Sequence, residues 1–251
     1  MSSRADHKRA VVTGGGRGLG ATIVKRMVVD GYRILVTDVD PARVDASVDA
    51  AGGDAGQVLG LSLDVTKLEH FEAALDFAVD AWGGVDVLVN NAALTRTTPI
   101  FDISAEEFST VMDVNLRGTF LGCQVFGKHF RDQKYGRIIN MASLAAQNGG
   151  AATGAHYAAS KGGIVTLTKV FARDLAAHGV TVNAISPGPL DVDLVHEILP
   201  PEKLSAVVSS IPVGQLGDPE FIADLVLTLA SEKAASMTGA TLDANGGLYV
   251  R

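Results

Sequence analysis

Tyr157 and Lys161 stand four residues apart in the segment His156-Tyr157-Ala158-Ala159-Ser160-Lys161, at the opening of a helical run. That spacing places both side chains on one face of a helix. A tyrosine titrates near pH 10 and is a poor base at neutral pH. An ammonium group beside it stabilises the phenolate and draws its pKa toward working pH, as general acid–base chemistry requires. Ser143 lies 14 residues upstream of Tyr157, at the end of an apolar run closing in INMAS. Its hydroxyl can hold a reacting oxygen while a proton passes. The chemistry that suits the trio is proton exchange with an alcohol or carbonyl. Alone, a Tyr and a Lys at this spacing are commonplace, so the weight falls on what accompanies them.

The first apolar run passes directly into Thr13-Gly14-Gly15-Gly16-Arg17-Gly18-Leu19-Gly20, followed by ATIVKRMVV with helical periodicity. Glycines here permit positive φ and let main-chain amides approach a ligand closely. The helix start behind them offers unpaired N–H groups and a positive dipole end, a setting for a pyrophosphate. The second run ends ILVTDVD, and its Asp38 stands 18 residues after Gly20, near the spacing at which a carboxylate meets an adenosine ribose. Such a carboxylate accepts from both ribose hydroxyls and repels a 2′-phosphate, which favours NAD over NADP. Arg17 pulls the other way, since it can meet a 2′-phosphate. Asp40, just before Pro41, reads as a helix N-cap.

The elements that must position these residues alternate along the chain. Short apolar runs cover Ala10–Thr13, Arg33–Thr37, Val58–Leu63, Val85–Asn90, Arg137–Ala142, Val180–Ser186 and Ala240–Asp243. Helix-period segments lie near 18–30, 40–50, 67–82, 105–133, 154–178 and 219–231. Strands apolar on both faces, separated by helices, predict an α/β fold with a doubly wound, seven-stranded parallel sheet covered by helices on both sides. No linker or repeat interrupts the order, so residues 1–251 read as one domain. Residues 187–217 break the rhythm with five of the eight prolines and scattered aliphatics. A long excursion after the carboxyl end of a strand reads as a substrate lid.

Bulk properties exclude several classes. The net charge is −7 and no basic arm or stripe is visible, which argues against a nucleic-acid partner. The lone Cys123 sits in an apolar helical run and reads as a buried thiol. His7, His70, His129, His178 and His196 show no ligand-like spacing, so no metal is expected. No apolar stretch approaches the length of a membrane span, and no signal-peptide pattern opens the chain, so a cytoplasmic protein is expected. His156 is expected to pack or face solvent rather than to move protons.

Taken together, TGGGRGLG (13–20), NNAA (Asn90–Ala93), Ser143, YAASK (157–161) and PGP (Pro187–Pro189) resemble the short-chain dehydrogenase/reductase family over nearly the whole chain. The resemblance implies a single-domain Rossmann fold with a dinucleotide at Gly14, Arg17, Gly18, Leu19 and Gly20. By the same resemblance, Asp38 and Val39 meet the adenosine ribose, Asp64 and Val65 the adenine, and Asn91 and Ala92 line the cofactor. Pro187, Gly188, Leu190 and Val192 lie at the nicotinamide carboxamide. The implied catalytic set is Ser143, Tyr157, Lys161 and Asn115: Tyr157 exchanges the proton, Ser143 orients the substrate, Lys161 binds the nicotinamide ribose, and Asn115 holds a water in a proton relay. Two departures stand out. NNAG is NNAA here, which stiffens the turn, and a threonine that often follows the PG motif is Val192, which removes a hydroxyl from the carboxamide site. Family members are commonly homotetramers, and the positive mean hydropathy of +0.24 suits buried subunit faces.

Candidate substrate-facing positions are Ala93–Thr95, Ala145, Gln147–Gly149, Thr153, Leu190, Leu194, Val195, Ile198 and Leu199, with His196 in the lid. The set is apolar with a few neutral polar groups. It favours a small secondary alcohol and its ketone, alicyclic or aromatic, handled with NAD. The nearest rival is an NADPH-linked 3-oxoacyl-carrier-protein reductase, which shares every motif but Asp38. A nucleotide-sugar epimerase or dehydratase usually needs a longer chain. A non-catalytic dinucleotide-sensing protein is the rival from another class, and it has little use for Ser143, Tyr157 and Lys161 in register.

Overall fold

The computed structural model describes residues 8–150, 153–192, 195 and 200–250. Seven strands form one parallel sheet: β1 (Arg9–Thr13), β2 (Arg33–Asp38), β3 (Val58–Ser62), β4 (Val87–Asn90), β5 (Gly136–Met141), β6 (Val180–Pro187) and β7 (Thr241–Ala244). Their order is β3-β2-β1-β4-β5-β6-β7. The order reverses between β1 and β4, where an open α/β sheet leaves a crevice at its carboxyl edge. Thr13 pairs with Thr37, Asn90 with Asn140 and Ser186 with Asp243, so the strands end nearly level. This is the doubly wound, single-domain α/β fold expected from the alternation.

Neighbouring residues on one strand feed opposite cores. Ala10 and Val12 of β1, with Ile34 and Val36 of β2, pack under α1 (Gly18–Val29) and the helix Pro219–Ala230. Val11 and Leu35 face the other way, onto α3 (Leu68–Trp82), α5 (Gly118–Gln133) and α7 (Ala155–Leu175) through Phe71, Phe126 and Leu175. Each fully buried aliphatic of this size contributes roughly 1.5–3 kcal/mol, which is why both faces must be covered. Cys123 is buried among them, and burial pushes its thiol up to about 12. Among the described residues no helix is long and apolar enough to cross a membrane, and no cluster suits a metal.

Local chemistry sets the helix starts. Asp40 caps α2 (Pro41–Ala51) by accepting the Ala42 N–H at 3.0 Å, as its place before Pro41 suggested. The segment near 105–133 is not one regular helix. It divides into α4 (Ala105–Met112) and α5, joined by a π-helical turn over Asp113–Arg117 that carries Asn115. Such turns arise where one extra residue is accommodated in a helix, frequently at functional sites. Two further helices were not read from the sequence: α6 (Ala145–Asn148), and α8 (Pro201–Ser210) inside the proposed lid. The helix Pro219–Ala230 is α9.

Candidate active site

The glycine turn after β1 is shaped by close approaches that a side chain would block. A Cβ on Gly20 would stand 2.0 Å from the Gly14 carbonyl oxygen. One on Gly14, whose φ is +62°, would stand 2.8 Å from Ala92 Cα. The turn is braced by β4: Asn91 Nδ2 donates to the carbonyls of Thr13 and Gly14, each at 3.0 Å. Thr13 Oγ1 accepts the main-chain N–H groups of Asn91 and Ala92 at 3.0 and 3.1 Å. Helix α1 begins behind the turn with Arg17 at its N-cap, extended and making no side-chain cap bond. Its first turn holds no acidic residue, so its orphan amides and dipole suit an external anion. Arg17 and Gly18 are exposed, whereas Leu19 packs into the core beneath.

Asp38 ends β2 with its carboxylate against the same turn. Its Oδ2 lies 2.9 Å from where a Gly16 Cβ would sit, so glycine at 16 leaves it room. Its Oδ1 accepts the Asp40 N–H at 3.2 Å. Val39 beside it is exposed. At the next corner, burial pushes the Asp64 carboxyl up, but the Thr66 N–H and hydroxyl, at 2.9 and 2.8 Å, outweigh it. With His70 and Lys67 nearby, the net direction is below the usual carboxylate range. The Asp64 N–H donates to His70 Nδ1, and Val65 is buried against Gly118. A dinucleotide fits this set: a glycine cradle that a Cβ would fill, an uncapped helix start, and a carboxylate beside the cradle.

Ser143, Tyr157 and Lys161 come together at the carboxyl ends of β5 and β6. The Ser143 and Thr95 side chains stand by the Tyr157 phenol and favour its ionised form. Ser143 Oγ also accepts the Ala145 N–H at 3.1 Å as α6 begins. Lys161 is 2% exposed, lies 5.5 Å from the centre of the Tyr157 ring, and donates to the Met141 carbonyl at 2.6 Å. The sequence expectation was that the ammonium would lower the tyrosine. Instead burial dominates and raises Tyr157, with Ser143 and Thr95, not Lys161, pulling it back. Burial also lowers Lys161, from 10.5 to about 8.

Asn115 is fully buried, but its side chain is not placed to hold a relay water. Its Nδ2 donates to Leu94 O and Ser160 Oγ, each at 3.0 Å, and its Oδ1 accepts the Leu94 N–H at 2.7 Å. Ser160 in turn donates to the Tyr157 carbonyl at 2.7 Å. Asn115 therefore ties the loop after β4 to α7. Sequence reading missed Thr13 and Ser160 in this scaffold, although both sit inside the quoted motifs. His156 packs, as expected, and its ring is wholly buried.

Past β6, the Pro187 carbonyl accepts the Leu144 N–H, and Gly188 packs against Asn245, where a Cβ would stand 2.9 Å from its Cα. Leu190 is buried and pairs with Gly217, and Val192 packs on the same core as Leu19. Both side chains thus point into the core, so any contact of Leu190 with a carboxamide falls to its main chain. Asp193, Leu194, His196, Ile198 and Leu199 lie outside the described residues. A groove of about 590 Å³ is lined by Pro189, Ile211, Val213, Phe221, Asn245 and Tyr249. It holds none of the Ser143, Tyr157, Lys161 group, so the reactive residues, not the groove, locate the site.

A parallel sheet with a glycine cradle at its switch point and a Ser–Tyr–Lys group on adjoining strand ends defines a dinucleotide-linked oxidoreductase. Residues 14–249 match the family described as enoyl-(acyl carrier protein) reductase. The chain is 39% identical over 243 residues to the 3-oxoacyl-[acyl-carrier-protein] reductase FabG of Vibrio cholerae, covering 97% of this chain and 98% of that protein. It is 36% identical over 250 residues to the D-threitol dehydrogenase of Mycolicibacterium smegmatis, covering 99% and 95%. A crystal structure of a short-chain type dehydrogenase/reductase from Mycobacterium marinum superimposes with a TM-score of 0.91 at 30% identity, covering 97% and 96%. The chain belongs to the short-chain dehydrogenase/reductase family, whose members use nicotinamide dinucleotides.

Proposed function

We propose that the protein is an NAD(H)-dependent oxidoreductase that interconverts a small, largely apolar secondary alcohol and its ketone. The observation that carries this reading is the Tyr157 ring with the buried Lys161 ammonium 5.5 Å from its centre, beside Ser143 at the end of β5. When bound, the nicotinamide supplies the hydride chemistry. The α1 amides behind Gly14, Arg17, Gly18, Leu19 and Gly20 hold the pyrophosphate. Asp38, with Val39, takes the adenosine ribose, and Asp64 and Val65 flank the adenine. Asn91 holds the cradle in shape beside Ala92, and Lys161 takes the nicotinamide ribose. Pro187, Gly188 and the Leu190 main chain face the carboxamide, with Val192 behind them. Ser143 orients the substrate oxygen and Tyr157 gives it or takes from it a proton. Residues 187–217 act as the substrate lid.

Asp38 supports NAD over NADP, because its carboxylate lies at the cradle where a 2′-phosphate would be repelled. The likeness to the Vibrio cholerae reductase favours a second reading, NADPH-linked reduction of a 3-oxoacyl thioester. A panel of secondary alcohols with NAD, set beside acetoacetyl-CoA with NADH and NADPH, separates the two by the rates of NAD(P)H appearance or loss. Tyr157→Phe with full turnover would sink both and favour a dinucleotide-sensing protein. A homo-oligomer, tetrameric by family habit, would cover the exposed Ile100, Phe101, Phe221 and Val250.

A further inference from the structure

We propose that His156 and Glu107 are a positioning pair that sets where the Tyr157 phenol stands; the role rests on the reading of Tyr157 as acid–base. His156 is wholly buried in the first turn of α7. Its Nδ1 accepts the Tyr157 main-chain N–H at 3.0 Å, and its Nε2 lies 2.8 Å from Glu107 Oε1 on α4. A ring that accepts at Nδ1 and faces a carboxylate at Nε2 is the neutral Nε2–H tautomer, donating to Glu107. The N-cap of α7 is Gly154, which has no side chain to satisfy the first-turn amides. The imidazole supplies that acceptor from within the turn. Gly154 is also what gives the ring its seat, because a Cβ there would lie 2.3 Å from His156 Cε1.

Glu107 joins the ring to the loop that carries the second phenol partner. Thr98 and then His156 hold its carboxyl below the ordinary range, with Arg96 adding a favourable charge. The Arg96 carbonyl accepts the Gly154 N–H at 2.8 Å. The charged group facing the ring is Glu107 from α4, with Arg96 of the loop acting on that carboxylate. The imidazole joins α4 to the start of α7, and the loop 94–98 is tied to the same start through Gly154. Thr95 of that loop stands by the Tyr157 phenol and favours its ionised form. The ring thus fixes Thr95 and Tyr157 relative to one another, and with them the side chains that oppose the effect of burial on the phenol.

The primary readout needs no substrate: absorbance titration of tyrosinate in the full chain, with Tyr157→Phe subtracted to isolate Tyr157. His156→Leu removes both ring contacts and is expected to move the Tyr157 titration to higher pH. His156→Asn keeps an acceptor near Nδ1 and is expected to restore most of it. In turnover of racemic 1-phenylethanol with NAD, His156→Leu is expected to lower kcat about tenfold, the scale of one misplaced buried hydrogen bond, with KM for NAD nearly unchanged. Glu107→Gln, at a partly exposed position, is expected to shift both readouts the same way by less, and it serves if His156→Leu does not fold. A Tyr157 titration unmoved in His156→Leu, or in Glu107→Gln where that variant stands alone, overturns the proposal. So does His156→Asn behaving like His156→Leu. Loss of the acid–base reading is distinct: Tyr157→Phe would then turn over normally whatever the titration shows.

Discussion

Lys161 is a buried cation with no carboxylate partner among the described residues, so it should make the protein less stable than it would be without it. Its ammonium donates to the Met141 carbonyl at 2.6 Å, and burial lowers it from 10.5 to about 8. A fall of that size corresponds to about 3 kcal/mol of unfavourable burial while the amine is charged. The sign follows from linkage: between about pH 8 and 10.5 the unfolded chain binds the proton and the folded chain does not, so stability rises with pH. Below pH 8 both states are protonated and the whole penalty stands. Lys161→Met removes it and leaves the Met141 carbonyl unpaired, a loss of about 1 kcal/mol. The net gain at pH 7 is about 2 kcal/mol, and at 2–4 °C per kcal/mol for a chain of this length Tm rises by about 4–8 °C. Thermal unfolding of both proteins at pH 7 and near pH 10 reads this directly, and activity should be lost. The gap should shrink or reverse at the higher pH. A gap that is absent at pH 7, or that widens as pH rises, would show that the buried charge is not what limits stability.

Gly20→Ala forces a Cβ to within 2.0 Å of the Gly14 carbonyl, so the cradle must open by more than an ångström and strain the Asn91 contacts. Nicotinamide-dinucleotide binding, read by NADH fluorescence, should weaken about 30-fold or more, on the scale of 2–3 kcal/mol of overpacking, and unchanged affinity would refute the cradle. Val192→Thr should tighten NADH by up to about fivefold if a hydroxyl there reaches the carboxamide, roughly one hydrogen bond. An unchanged dissociation constant would mean that the core packing of residue 192 keeps it from the cofactor. Phe101→Asp, at a ring 98% exposed, should lower the oligomer's mass by light scattering if that ring lies in a subunit interface; an unchanged mass places the contact elsewhere.

The sheet was legible because each strand is apolar on both faces and each helix shows one apolar stripe, so period and order sufficed. The glycine turn, Asp38 and the Ser–Tyr–Lys spacing were legible for the same reason: their meaning lies in chain order at strand ends. What stayed hidden depends on direction in space. Nothing in VNLRG announces the π turn that rotates Asn115 onto Leu94 and Ser160. Adjacent helical residues point apart, which made His156 look idle. In the first turn of α7 the ring instead folds back onto the next residue's amide. For Tyr157, sequence shows the charge four residues away but not the desolvation that raises the phenol.

Hydrogen-bond accounting separates scaffold from working groups more sharply than proximity does. Asn91, Asn115, Thr13, Ser160 and His156 all sit among the candidate residues, and the partners of their polar atoms are other parts of the chain. Ser143 accepts one N–H, which leaves its O–H to donate. Lys161 makes one bond where an ammonium can make three. Asp64 uses one carboxylate oxygen for both Thr66 contacts, and the α1 amides have no side-chain cap. These groups with unfilled capacity run from the corner after β3, past the cradle, to the phenol. Base, ribose, pyrophosphate, ribose and reactive ring follow one another along a dinucleotide, the cofactor class that the family uses. Of these groups Lys161 is the buried one, and a buried ammonium left short of partners is costly, so its site gains most when a ligand hydroxyl fills it.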